Sequence, residues 1–560
     1  MVSRLAALLA VGQLATTCYA QVKNVPDVDS FLRRGFPRTT VVGNYLYIDG
    51  GEVAQLVNGK NTSRPSDPVN VTLSIDLTTS WKPSDVTFKE IKKSAPTMMR
   101  QAIFDFQDNS TSAIYIWGGF RSYDGNVPSA ALWKFNPDGS GGGSWNTEIK
   151  PGHSTFVNFE RSQGGAFVST PGAGFYFGGY SQATSDPTPA GPVPGYLKFN
   201  FTDNAQAWTN HTTAPYSQYG TLGGAAAHYV PNFGDNGLVM VLGGGNYPLG
   251  SSSDNTPLLA FDDIHFMDPV TDVWYSQKTS GTAPAPRQWH CAVGAQGQNN
   301  TYEIFVFGGT SGTTSFDEVW ILSLPGFVWK KADYTSTSPR DAMGCAVGGQ
   351  RQMITIGGID RSWVDSAKFF KDKDPFPQGV GVFDMTQLKW NDQYDSSAAA
   401  YDTPDIVKSW YEEGNTVNYS NDEVAALFKK SNSDSGSGSG SGSGNSSSSD
   451  SESSSSNVGA IAGGVVGGVV GAAAIGLAAF CLLRRRKRQQ PPAQDPALAQ
   501  AQPYAPQHAY SPVPPSATIT ASELESGHTP PPDVPKMAHT SELPSDSRVM
   551  YELDGSGAHK

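Results

Sequence analysis

The chain has 560 residues, 39 basic against 51 acidic, for a formal net charge of −12, with 61 glycines, 39 prolines and four cysteines. That balance argues against a nucleic-acid binder, whose phosphate contacts need clustered Lys and Arg, and four cysteines are too few for a disulfide scaffold. Length alone leaves room for several domains or for one large repeated ring.

Taken in order, Met1–Ala20 carries Arg4, an apolar run from Leu5 to Leu14 and a small-residue end at Cys18-Tyr19-Ala20. This is the pattern of a secretory signal removed before Gln21. From 21 to 430 one sentence is written six times, a short apolar or aromatic run stopped by a glycine pair. The pairs are Gly50-Gly51, Gly118-Gly119, Gly178-Gly179, Gly243-Gly244, Gly308-Gly309 and Gly357-Gly358. Each reads as a buried strand with a forced turn, because paired glycines let the backbone leave through positive φ without a Cβ clash. The pairs recur every ~50–70 residues, too long for a solenoid repeat and right for a multi-stranded blade.

The other parts of the unit recur as well. A small-residue strand precedes each glycine run, usually introduced by Arg: Arg38, Arg100, Arg161, Arg287 and Arg340. The fourth copy has no such Arg before Gly223-Gly224. An alternating third strand follows the glycines, and then a Trp: Trp145, Trp208, Trp274, Trp329, Trp390 and, for the first unit, Trp81. Four strands per unit predict an all-β, six-bladed propeller over 21–430. Seven blades are the alternative if 22–37 or 396–430 supply further strands. A short helix is expected at Asn421 to Lys430.

Arg before a first strand, Gly-Gly after a second, an aromatic third strand and a Trp on the fourth resemble the kelch repeat, over roughly residues 24–395. The resemblance implies a ring that captures ligands on the face collecting the loops after each glycine pair. Residues there that depart from the repeat, Arg121, Tyr123, Arg361 and Trp363, with Tyr180, Asn246 and Tyr247, form the candidate ligand-binding face. The five pre-strand Arg are expected to make hydrogen bonds between blades, since a repeated residue serves the repeat.

Kelch-type propellers include galactose oxidase, so a membrane-anchored oxidase or hydrolase is the rival reading. Copper-radical chemistry in that family needs two His, two Tyr and a Cys–Tyr crosslink. His153, His211, His228, His265 and His290 are the candidate ligands, and Trp289-His290-Cys291 is the densest cluster. No two of these histidines are closely spaced on one strand, and no carboxylate pair stands out for acid/base work. The sequence therefore favours a binding protein, with no catalytic residue, metal or cofactor assigned. Cys291 and Cys345 fall at what look like matching positions on the first strands of neighbouring units. In an oxidising compartment they form a disulfide or remain two buried thiols.

Residues 431–457 are almost wholly Ser, Gly and acidic residues, a stalk that cannot bury a core. Residues 458–483 carry no charge, long enough to cross a bilayer, and Arg484-Arg-Arg-Lys-Arg488 follows at once. The basic cluster sets a type I single-pass orientation, with the ring outside a plasma or other secretory-pathway membrane. Gly463, Gly467 and Gly471 place small residues four apart, as in dimerising spans, although Gly is common in such helices generally. The composition of 431–488 also resembles the membrane end of fungal cell-wall stress sensors. The tail, 484–560, is Pro-rich and predicted disordered, with Thr529-Pro-Pro-Pro-Asp-Val-Pro535 available to a cytosolic adaptor. Sequons at Asn61, Asn70, Asn109, Asn200, Asn210, Asn299, Asn418 and Asn445 all precede the span. The expected function is a cell-surface receptor, adhesion or wall-sensing protein with an extracellular protein or glycan ligand.

Overall fold

The computed structural model describes residues 22–429 apart from 109–110, 123–126, 128–130, 147–155, 157–158, 190, 204, 252–256, 336–337 and 363–367. The leader, stalk, apolar span with Gly463, Gly467 and Gly471, and tail lie outside the described residues, as do Asn109, Tyr123, His153, Trp363 and Asn445. No helix among the described residues is long and apolar enough to cross a membrane.

Each glycine-pair run is the second strand of a sheet. Among the described residues, six sheets each hold four consecutive antiparallel strands, and the fifth adds a short parallel strand at Ser280–Gly281. Their first strands are Arg38–Val42, Ala102–Gln107, Ala166–Ser169, Ala226–Val230, Cys291–Gln296 and Gly344–Gly348. These six lie side by side in a closed circle, the last against the first. The architecture is a β-propeller. The second strands behind them, such as Tyr302–Phe307 and Gln352–Ile356, are buried along their whole length, which explains their unbroken β-branched and aromatic character.

The core lies between sheets. Leu238, Met240 and Phe266 of the fourth sheet, for instance, pack with Ile304, Leu322 and Trp329 of the fifth. At about 1.5–3 kcal/mol for each large side chain buried, these layers hold the ring together.

The second glycine of every pair does more than turn the chain. Its N–H donates to a carbonyl just before the first strand of the next sheet: Gly51 to Met98, Gly119 to Ser162, Gly179 to Leu222, Gly244 to Arg287, Gly309 to Arg340, and Gly358 to Arg34, at 2.6–3.1 Å. The sixth bond closes on the first sheet, so the ring closes without an exchanged strand. Flanking segments clamp that seam. Arg33 Nε donates to Asp372 O (3.0 Å), Asp374 N to Leu32 O (2.8 Å) and Gln378 Nε2 to Pro26 O (2.9 Å). On the opposite side, Trp81 and Tyr394 exchange backbone hydrogen bonds and stack at 5.0 Å.

Several expectations are corrected. Trp81 is not on a fourth strand; that strand is Lys89–Lys92, and Trp81 sits in the connection before it. Residues 22–37 add no blade, but Phe31–Gly35 pairs with Glu52–Val57 in a small extra sheet over the first. The C-terminal segment forms two helices, Asp405–Glu412 and Asp422–Lys429, the first of which the sequence reading passed over.

Candidate binding face

The side of the ring where the glycine pairs turn is its mouth, and the side carrying the first-to-second and third-to-fourth strand turns is its base. At the mouth the residue after each glycine pair meets the segment before its own first strand: Glu52 with Gly35, Phe120 with Met99, Tyr180 with Gln163, Gly245 with Gly223, Thr310 with Gln288, and Ile359 with Asp341. The fourth unit keeps this geometry without its Arg.

The next residue in each pre-strand segment adopts a left-handed backbone: Phe36, Arg100, Gly164, Gly224, Trp289 and Ala342, with φ between 54° and 69°. These six are linked head to tail. Phe36 N donates to Ala342 O, Ala342 N to Trp289 O, Trp289 N to Gly224 O, Gly224 N to Gly164 O, and Gly164 N to Arg100 O, at 2.6–3.0 Å. Five bonds thus string the six residues into a small circle about the ring axis, where the Phe36, Arg100 and Trp289 side chains meet. The Arg100 guanidinium lies 4.6 Å from the ring centroids of both Phe36 and Trp289 and 5.3 Å from Phe120. Its Nη1 donates to Gln163 Oε1 at 3.3 Å. The Trp289 indole crosses Gly164, where a Cβ would collide with it, and Gly224, where a Cβ would press on it at 3.1 Å.

Two carboxyls flank this plug. Glu52 accepts from Ser66 Oγ (2.6 Å) and Ser122 Oγ (2.8 Å), and burial raises its pKa against those bonds. Asp341, fully buried, accepts from Arg361 Nε at 2.9 Å and is likewise raised by burial, opposed by Arg361 and by the charge of Arg100. Both sites depend on the mouth being partly dry, because burial disfavours the ionised form.

The described members of the predicted face follow the glycine pairs, but they are not equally available. Arg121 is half-buried, its N–H donating to Thr184 O (3.0 Å). Tyr180 is half-buried, donating its hydroxyl to Ser251 O (3.2 Å). Asn246 and Tyr247 are buried. Asn246 Oδ1 accepts from Tyr219 N, and Tyr247 packs on Gly223 with its hydroxyl donating to Gln288 Oε1 (3.4 Å). Arg361 is committed to Asp341.

The pre-strand Arg are not one set. Counting from the glycine-bound carbonyls, Arg34, Arg287 and Arg340 are equivalent and fully buried, whereas Arg38, Arg100 and Arg161 stand elsewhere. Arg287 Nη1 donates to Gly308 O (3.1 Å) and its Nη2 to Glu318 (2.8 Å). Arg340 Nη1 donates to Gly357 O (2.8 Å) and its Nη2 to Asp374 (2.8 Å). These bonds stay within one unit, whereas Arg38 Nε donates to Gln101 O of the next unit (2.8 Å), the contact between blades expected of the set. The axial role of Arg100 was missed. Its offset was visible in the spacing, since Arg100 stands two residues before the strand opening at Ala102, whereas Arg287 and Arg340 stand four before theirs.

The histidines are dispersed. His228 Nε2 and the Tyr302 hydroxyl are 2.8 Å apart, and burial lowers the His228 pKa to about 4. His290 packs against Phe261, lowered to about 3 by burial and by Arg287. His211 stacks on Tyr196 at 4.3 Å, and His265 lies on the third strand of the fourth sheet. Trp289, His290 and Cys291 point to three separate environments. Among the described residues no three His, Cys, Asp or Glu converge as metal ligands. Cys291 and Cys345 are joined in a disulfide with Cα atoms 6.0 Å apart. Their registers differ by one residue, since Cys291 faces Phe307 beside its glycine pair while Cys345 faces Thr355, one further in.

No family model matches the chain. It is 25% identical over 409 residues to a protein described as "Kelch repeat-containing protein" from Arthroderma benhamiae, an alignment covering 65% of this chain and 57% of the relative. The chain thus spans little more than half the length of that curated relative. With its glycine pairs, fourth-strand tryptophans and closed circle of antiparallel sheets, the chain is a β-propeller similar to that kelch-repeat protein.

Proposed function

We propose that the chain is a six-bladed, membrane-anchored binding protein that captures an extracellular protein or glycan at its mouth. The observation that carries the binding reading is the composition of the axial circle. Gly164 and Gly224 make its left-handed turn without strain, yet Phe36, Arg100, Trp289 and Ala342 make it at ~1–3 kcal/mol each. Such strain is retained where the side chains serve a purpose, and here it holds an aromatic-flanked cation at the centre of the mouth.

Topology supports the same reading. The six described sequon asparagines, Asn61, Asn70, Asn200, Asn210, Asn299 and Asn418, are all exposed. Asn299 and Asn200 lie in base-side turns and Asn210 on an outer strand, so the mouth of the second to sixth sheets is free of them. The last described helix ends at the base, where Leu427 O accepts from Gly234 N (3.0 Å). The apolar span and basic cluster that follow in sequence support the anchored reading. The oxidase reading loses its crosslinking cysteine, because both ring cysteines are used in the disulfide.

The test is binding of the full-length chain to arrayed cell-surface glycans and peptides, compared with Arg121→Glu. Ligands held by the wild type and lost by the variant at unchanged melting temperature support the mouth. Ligands held equally by both contradict it.

A further inference from the structure

The C-terminal segment runs along the base from the sixth sheet to the fourth, and one of its attachments is a single buried carboxyl. Glu303, on the second strand of the fifth sheet, has no exposed surface. Its Oε2 accepts from the Tyr401 hydroxyl at 2.9 Å and from Thr403 Oγ1 at 3.2 Å, and its Oε1 accepts from Ser323 Oγ at 3.0 Å. Thr301 Oγ1 lies 3.1 Å from Thr403 Oγ1. Gly297 leaves room for the cluster, since a Cβ there would run into Thr301, Thr403 and Glu303. A second hydroxyl, that of Tyr411, lies 3.1 Å from Ser323 Oγ and accepts from Gly326 N at 3.0 Å, while Val407 is buried against Phe305 and Ile321.

Every hydrogen-bond partner of Glu303 among the described residues is a hydroxyl, and none is a base. The other titratable groups facing it do not compensate its charge. Tyr302 is engaged with His228, Tyr401 and Tyr411 are themselves donors or acceptors in the cluster, and Asp402 adds a further negative charge that Lys408 takes up at 2.6 Å. Burying an ionised carboxylate without a counter-cation is costly, whereas a protonated one fits a shell of hydroxyls that can turn to donate or accept.

We propose that residues 401–412 form a strap locked to the base of the ring through Glu303, tight when that carboxyl is protonated and loosened when it ionises. Burial raises the Glu303 pKa, and the sign follows. Stabilisation by docking is complete below the ordinary carboxylate range and is lost as pH rises through the raised value.

The test is amide hydrogen exchange across 401–412 in the full-length chain at pH 4.5 and 7.5, corrected for intrinsic rates. Wild-type protection should fall by about tenfold or more between the two, in the direction that linkage to a raised carboxyl requires. Glu303→Gln, an uncharged isostere, should abolish that difference while leaving the strap protected. Tyr401→Phe should lower protection at both pH values without altering the amides of the Glu303 strand, a readout that holds even where the Gln variant folds poorly. Equal wild-type protection at both pH values, or a pH difference that persists in Glu303→Gln, would overturn the proposal.

Discussion

Gly358 donates its backbone N–H to the carbonyl oxygen of Arg34 at 2.7 Å, joining the last sheet to a segment more than three hundred residues earlier in the chain. The same bond joins every other neighbouring pair of sheets. Ring closure therefore rests on one repeated glycine contact, reinforced at the seam by Arg33, Asp374 and Gln378.

Gly358→Ala should weaken closure. Its φ is +111°, and a Cβ would press on the Arg340 side chain at 3.0 Å. The expected loss is about 1–3 kcal/mol in urea unfolding, from left-handed strain together with the displaced Arg340.

Arg340→Ala should cost more, about 3–5 kcal/mol, because Asp374 would be left fully buried without its cation. Arg121→Ala should change stability by no more than about 0.5 kcal/mol, as a half-buried side chain outside the repeat packing. Chemical unfolding of the two variants side by side checks the separation.

Arg361→Ala has a pH signature. Burial already raises the Asp341 pKa, and Arg361 is its largest compensating interaction. Removing Arg361 raises that pKa further, so the variant loses stability as pH climbs through it. The deficit relative to wild type should be small near pH 4 and large near pH 7, read from melting curves at both.

Replacing both Cys291 and Cys345 by Ser should destabilise the ring by up to about 4 kcal/mol, the loop-closure value for a separation of 54 residues. The bridge ties the fifth sheet to the sixth, next to the seam. Thermal unfolding with and without reductant should show the same loss in the wild type and none in the double variant.

The repeat was legible because its signals are steric. Glycine pairs mark turns that need positive φ, and Trp145, Trp208, Trp274, Trp329 and Trp390 mark fourth strands. The pairing of Cys291 with Cys345 was readable as a possibility, but not its one-residue stagger, which arises from packing between two sheets. Arg was a poor ruler. Arg34 holds the repeat position, but Arg38 drew attention because it opens the strand, and Arg100 looked equivalent while standing at the axis. Asn246 and Tyr247 follow a glycine pair like the rest of the predicted face, and their burial is a tertiary effect. The strap was missed because Tyr401 and Thr403 bind Glu303, and Tyr411 binds Ser323 beside it, from about a hundred residues away, with no local pattern to announce it.

The central claim, that recognition occurs at the mouth, is tested most directly by a glycan placed there. Asp360→Asn creates an acceptor sequence with Arg361 and Ser362 beside the Asp341–Arg361 pair, and the new side chain can keep the cap that Asp360 Oδ1 makes to Ser362 N at 3.0 Å. The variant would be expressed through the secretory route, the added glycan verified by mass before and after enzymatic release, and binding to the glycan and peptide arrays measured against the wild type. The account predicts loss of every ligand that the wild type retains, at an unchanged melting temperature. Undiminished binding with the glycan in place would contradict it.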